Sequence, residues 1–109
     1  MKNASLLSAC AILVGLSTPA FSEETQRILS TLTDGTTIIS GQWRKQAAGP
    51  IDIPFNHTFS SPPVVVVTSV WHAGVGSIET VTRVDSDRFQ VNSGNAAADY
   101  FVNWIAMGK

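Results

Sequence analysis

From residue 36 onward the chain is a succession of short segments in which β-forming residues recur with a period of two, and this limits the fold more than any other feature. TTIISGQW (36–43), IDIPFNHTF (51–59), VVVVTSVW (64–71), SIETVTRV (77–84), RFQVNS (88–93) and DYFVNWIAM (99–107) are the six candidate strands. Turn formers separate them: Ala47-Ala48-Gly49-Pro50, Asp85-Ser86-Asp87 and Gly94-Asn95. No helical pattern lies between consecutive segments, which excludes parallel β-α-β units. Short strands at spacings of about 10 to 12 residues predict an all-β antiparallel sandwich or barrel.

Alternation assigns faces. Ile51, Ile53, Phe55 and His57 share one face of their segment, and Asp52, Pro54, Asn56 and Thr58 the other. Pro54 marks an edge strand or a bulge, and Gly41 a possible bulge. In the last segment Tyr100, Val102, Trp104 and Ala106 lie on one face, with Phe101, Ile105 and Met107 opposite. The third segment, behind Pro62-Pro63, is apolar on both faces from Val64 to Val67. A missing N–H costs little at the first position of a strand, so the prolines fix where pairing begins. A strand apolar on both sides predicts a central position, with its second face covered by another subunit.

The amino terminus, MKNASLLSACAILVGLSTPAFS, has one lysine, an apolar run and small residues around its end. This is the layout of a secretory signal peptide over residues 1–22, cleaved after Ser22. The apolar run falls short of the roughly 20 residues that span a bilayer. Cys10 lies ahead of most of that run, unlike a lipid-attachment cysteine, and is removed with it. The mature chain then has no disulfide, and a small secreted domain without one must find stability elsewhere, with oligomerisation the direct route. Residues 23–35 begin with acidic residues and carry Ile28, Leu29 and Leu32 at helical spacing, closed by Asp34-Gly35. They read as a short helix or an extended arm that assists assembly, ahead of the β-domain at 36–109.

Of the 7 basic residues one is Lys2, which leaves 6 against 8 acidic ones after the leader, a net charge near −2. No basic patch fits nucleic acid. With two histidines and the single leader cysteine, neither a metal site nor a cofactor is expected. Asp85-Ser86-Asp87 reads as a turn rather than a calcium loop. No G-x-S-x-G or comparable nucleophile motif is present, so an enzyme is not expected. Asn56-His57-Thr58 fits the N-glycosylation pattern, but the leader is of bacterial type and the match is read as chance.

Three segments carry a family resemblance. Phe59-Ser60-Ser61-Pro62-Pro63-Val64-Val65 has the form F-S-x-P-P-x-V, Phe89-Gln90-Val91 the form F-x-V, and the chain closes on Asn103-Trp104-Ile105-Ala106-Met107-Gly108. With Gly41-Gln42-Trp43 near the start, the stretch from about residue 38 to 108 resembles the H-type lectin domain of snail agglutinins and discoidins. The resemblance implies a six-stranded antiparallel β-sandwich assembled as a homotrimer. It also implies binding of galactose- or N-acetylgalactosamine-type glycans between subunits, in adhesion or recognition. A similar closing segment occurs in phage tail-fibre domains, which fold as trimers and touch host surfaces. This offers the alternative of a trimerisation and adhesion module that has lost the sugar site.

The sequence departs from the lectin pattern at the sugar contacts. After Phe89-Gln90-Val91 comes Asn92-Ser93-Gly94-Asn95-Ala96-Ala97-Ala98, with no Trp-His pair. The family's arginine position falls near Thr80, and Arg83, three residues on, is expected on the opposite face. No family sugar contact is carried over. On chemistry alone, a sugar needs a flat aromatic face and fixed polar groups. Trp71 and His72 in the glycine-containing loop 72–77, with Asn92, Asn95, Asp99 and Tyr100 around the last turn, are the candidate carbohydrate-binding residues.

Overall fold

The computed structural model describes residues 24–75 and 78–109. The expected leader at residues 1–22, with Cys10, lies outside the described residues. The described chain is all-β, with seven strands: β1 Glu24–Thr31, β2 Thr37–Arg44, β3 Gly49–Pro54, β4 Val64–Trp71, β5 Thr80–Val84, β6 Arg88–Ser93 and β7 Tyr100–Gly108. They form two antiparallel sheets, one of four strands in the order β1-β2-β7-β4 and one of three in the order β3-β6-β5. The sheets face each other as a sandwich.

The six-strand expectation holds from β2 onward, and the seventh strand comes from the amino-terminal segment. Residues Glu24–Thr31 are a strand, not a helix, paired along β2. The connection is a tight turn. Leu32 N–H donates to the Thr36 carbonyl, Gly35 N–H to the Leu32 carbonyl, and Thr36 N–H to Asp34 Oδ1 at 3.0 Å. Gly35 sits at φ 92°, which a residue with a Cβ rarely adopts. That turn returns the chain antiparallel, and an isolated turn or two of helix could not compete with a paired strand.

Alternation sorts the interior as read from sequence. Ile39 and Trp43 of β2, and Tyr100, Val102, Trp104 and Ala106 of β7, point inward and are buried. From the facing sheet come Ile53, Phe89 and Val91. Phe89 packs edge-on to Trp104 at 5.3 Å, and Phe55 stacks on Phe89 at 5.4 Å. Gly41 makes no bulge. The β2–β7 register runs unbroken through it, and Gly41 pairs directly with Trp104, whose indole lies across the missing side chain.

Two further expectations change. Strand β3 ends at Pro54 rather than at residue 59. Asn56 turns left-handed at φ 55°, and Phe55 N–H and Phe59 N–H donate to the carbonyls of Asp87 and Ser86. The segment thereby docks on the β5–β6 turn and drives Phe55 and Phe59 into the core. Strand β4 is an edge strand, not a central one. Its inner row, Val65 and Val67, packs on the core, while Val64 and Val66 stand 63% and 60% exposed on the outer face. Apolar residues on both faces show that a row lacks polar groups, and this is equally compatible with an edge. Pro63, the residue before the strand, is buried against Gly108.

Candidate functional site

Four of the six candidate residues meet at one end of the sandwich, where β4 and β6 finish, β7 begins and Glu79 leads into β5. Trp71 Nε1 donates to Asp99 Oδ1 at 2.9 Å, and the Trp71 ring meets Tyr100 edge-on at 6.1 Å. Gly74 lies so close to the Trp71 six-membered ring that a Cβ there would come within 2.9 Å of it. The Tyr100 hydroxyl is fully buried and donates to Glu79 Oε2 at 2.6 Å. Ser69 Oγ lies 2.9 Å from the same hydroxyl, and Ser93 Oγ donates to the same Glu79 oxygen. The other carboxylate oxygen, Glu79 Oε1, is buried with no partner. Burial, and then the hydrogen bond to Glu79, push the Tyr100 phenol above its ordinary range.

Beside this cluster Lys45 is buried, its ammonium donating to the carbonyls of Ala47 at 2.7 Å, Ser93 at 3.2 Å and Asn95 at 3.4 Å. One cation thus ties the β2–β3 loop to the β6–β7 loop. Asn95 builds the second of these, its Oδ1 accepting from Ala97 N–H at 2.9 Å. Above lies an open depression of about 590 Å³ between Trp71, Ile78, Ser93 and residues 94–97. Its polar lining comes from turn backbone and short side chains, and its aromatic lining from Trp71. Among the described residues no three His, Cys, Asp or Glu side chains gather to hold a metal.

Of the six candidates, Trp71, Asn95, Asp99 and Tyr100 converge here. His72 is exposed in the following turn, and Asn92 is exposed on the outer face of β6, opposite Pro50 and Thr80. Part of the loop that Trp71 opens, residues 76–77, lies outside the described residues. Lys45, Glu79, Ser69 and Ser93 were not anticipated, yet a signal for them exists. Each continues an inward-facing row by two residues: Lys45 after Trp43, Ser69 after Val67, Ser93 after Val91, and Glu79 before Val81.

A second polar group forms on the outer face of the three-stranded sheet. Arg83 Nη2 lies 3.3 Å from Asp52 Oδ1, its Nε donates to Asp85 Oδ2 at 3.0 Å, and Gln90 Nε2 donates to Asp52 Oδ1 at 3.1 Å. Alternation from Thr80 places Arg83 inward, but the register shifts between Val81 and Arg83. The extra residue, Thr82, returns Arg83 to the outer face that Thr80 occupies.

No protein-family model and no curated sequence matches the chain. Solved structures do. An N-truncated R2-type pyocin tail fibre superimposes at a TM-score of 0.54 with 18% identity, over 85% of this chain and 41% of the fibre chain. The C-terminal part of the R2 pyocin fibre of P. aeruginosa gives 0.53 and 18%, over 85% of this chain and 28% of that one. The chain therefore spans less than half of either fibre chain. At this identity the likeness is one of fold.

Proposed function

We propose that this protein is a non-enzymatic, extracellular assembly and adhesion module of tail-fibre type, working as a homotrimer. The observation that carries the reading is the surface of the four-stranded sheet. Ile28, Val64, Val66, Ile105 and Met107 stand 41 to 65% exposed on one face. Across that face runs a polar but uncharged line, with Thr25 Oγ1 donating to Gln42 Oε1 at 2.7 Å and Gln42 Nε2 to Asn103 Oδ1 at 2.9 Å. This largely apolar surface, with Arg44 over the Phe101 ring toward one end of it, marks a protein contact rather than a solvated face. A disulfide-free domain of this size gains its missing stability from such a contact. The fold shared with the tail fibres supports the same reading by analogy. Light scattering on the purified protein tests it: a trimer mass is expected, and a monomer at every concentration would overturn it.

A second reading, lectin-like binding of glycans or glycoconjugates of the galactose or N-acetylgalactosamine type, is favoured by the convergence of Trp71, Asn95 and Asp99 around the end depression. Three equivalent weak sites on one trimer would act through avidity. A glycan array should then show binding that Trp71→Ala abolishes while the trimer persists. An array blank for every terminal hexose and hexosamine leaves the assembly role alone.

A further inference from the structure

We propose that copies of this chain join through their sheet edges, with β1 of one copy pairing antiparallel along β4 of the next. This rests on the reading that the protein works as an oligomer, and it specifies how. The two sheets present four edge strands: β1 and β4 in one, β3 and β5 in the other. Exposed edges template unwanted pairing, and proteins that stay apart blunt them with proline, charge, bulges or shortness. Strand β3 carries Pro50, Asp52 and Pro54 within six residues. Strand β5 has five residues, a register shift and Arg83. Both are blunted. Strand β4 is not: VVVVTSVW has no charge, no internal proline, and an unbroken eight-residue register with β7.

The occupant follows from the opposite edge. Strand β1 has the same length, eight residues; its charges, Glu24 and Arg27, and its register shift lie in the first half, and it is uncharged and regular from Ile28 to Thr31. Its main neighbour in its own chain is β2. Ile28 is 65% exposed on the outer face, and Leu29 is 44% and Leu32 47% exposed. Three antiparallel steps separate β1 from β4, so the two run in opposite directions. Rotation about an axis along the strands preserves those directions and brings β1 of one copy antiparallel to β4 of the next. Such a head-to-tail contact gives a ring where the rotation between copies closes, as a trimer requires. Pairing would extend the outward row of Val64 and Val66 with Ile28, and the inward row of Val65 and Val67 with Leu29.

Amide hydrogen exchange, read on the purified protein alongside light scattering, tests this. In the oligomer, alternate amides of β4 should exchange at least about tenfold more slowly than in a monomeric Val66→Lys variant. That substitution is outward-facing, so the variant should keep the native buried-tryptophan fluorescence and cooperative unfolding. An oligomer whose β4 amides all exchange as fast as in the Val66→Lys monomer overturns the edge pairing and leaves the oligomeric function standing, with the copies packed face to face. A native protein that is monomeric at every concentration overturns both.

Discussion

Gly41→Ala should destabilise the domain by about 1–2 kcal/mol. Gly41 sits in the middle of β2, paired with Trp104, and its φ is not in the left-handed region, so its backbone accepts any residue. The obstacle is space. A Cβ built on Gly41 would lie 2.6 Å from Trp104 Cε2 and Cζ2 and 2.8 Å from its Nε1. Carbon atoms sit comfortably at about 3.5–4.0 Å, so something must yield by about 1 Å. The indole cannot yield easily, being wedged against Phe55 at 5.8 Å and Phe89 at 5.3 Å, with 2% of its surface exposed. Forcing an extra methyl into such a site costs about 1–3 kcal/mol. The lost flexibility of the unfolded chain returns about 0.4–1 kcal/mol. The balance lowers the thermal midpoint by roughly 5–15 °C for a domain of this size. Urea unfolding followed by tryptophan fluorescence measures it as a lower midpoint at unchanged slope. The double variant Gly41→Ala/Trp104→Phe should be more stable than the sum of the single losses, by about 0.5–3 kcal/mol of coupling. Trp104 Nε1 is buried without a partner, so Phe leaves no hydrogen bond behind. A Gly41→Ala protein as stable as the native one would refute the close approach of strand and ring.

Two more outcomes follow from the buried polar end. Lys45→Met keeps the bulk of the side chain but leaves the carbonyls of Ala47, Ser93 and Asn95 without their shared donor. It should cost about 1–3 kcal/mol in urea unfolding, and an unchanged midpoint would refute the clamp. Tyr100 is the single tyrosine, so the tyrosinate absorbance reports it alone. Its phenol should titrate above the ordinary value of 10.0. The raised group holds its proton longer in the folded than in the unfolded chain, so its contribution is fully present below about pH 10 and is lost as pH rises through the folded midpoint. Tyr100→Phe should flatten that alkaline decline, and titration of the native phenol at or below 10.0 would refute its burial against Glu79.

The sequence carried most of the fold because alternation is a local signal. The inward set of β7 can be read directly from Tyr100, Val102, Trp104 and Ala106, and the structure buries all four. Position within a sheet is not local. Val64 to Val67 are as apolar as a central strand because β4 lacks polar residues, not because strands flank it on both sides. Residues 24–31 were ambiguous for a related reason. Ile28, Leu29 and Leu32 fit a helical stripe, but only the turn at Asp34-Gly35, acting with β2, decides for a strand. The extra residue at Thr82 left no trace in composition, and it alone reverses the face that counting assigns to Arg83.

The candidate site was half legible, and the missed half obeys the rule that built the core. Chemistry picked Trp71, Asp99 and Tyr100 because aromatic and polar groups cluster at turns, and it picked His72 and Asn92 for the same reason. Parity separates the two groups. Trp71 and Tyr100 belong to inward rows, whereas His72 and Asn92 fall one residue out of phase and face solvent. Carried two residues beyond the last apolar member, the inward rows reach Lys45, Ser69, Ser93 and Glu79, the groups that hydrogen-bond beneath the depression. A polar residue in phase with a core row has nowhere to go but inward, and burial there is tolerable only when other in-phase polar groups meet it. Lys45 meets three carbonyls, Tyr100 and Ser93 donate to one oxygen of Glu79, and Ser69 meets the Tyr100 hydroxyl. The remaining oxygen of Glu79, buried and unmatched, is among the described side chains a place where this end of the sandwich still lacks a donor.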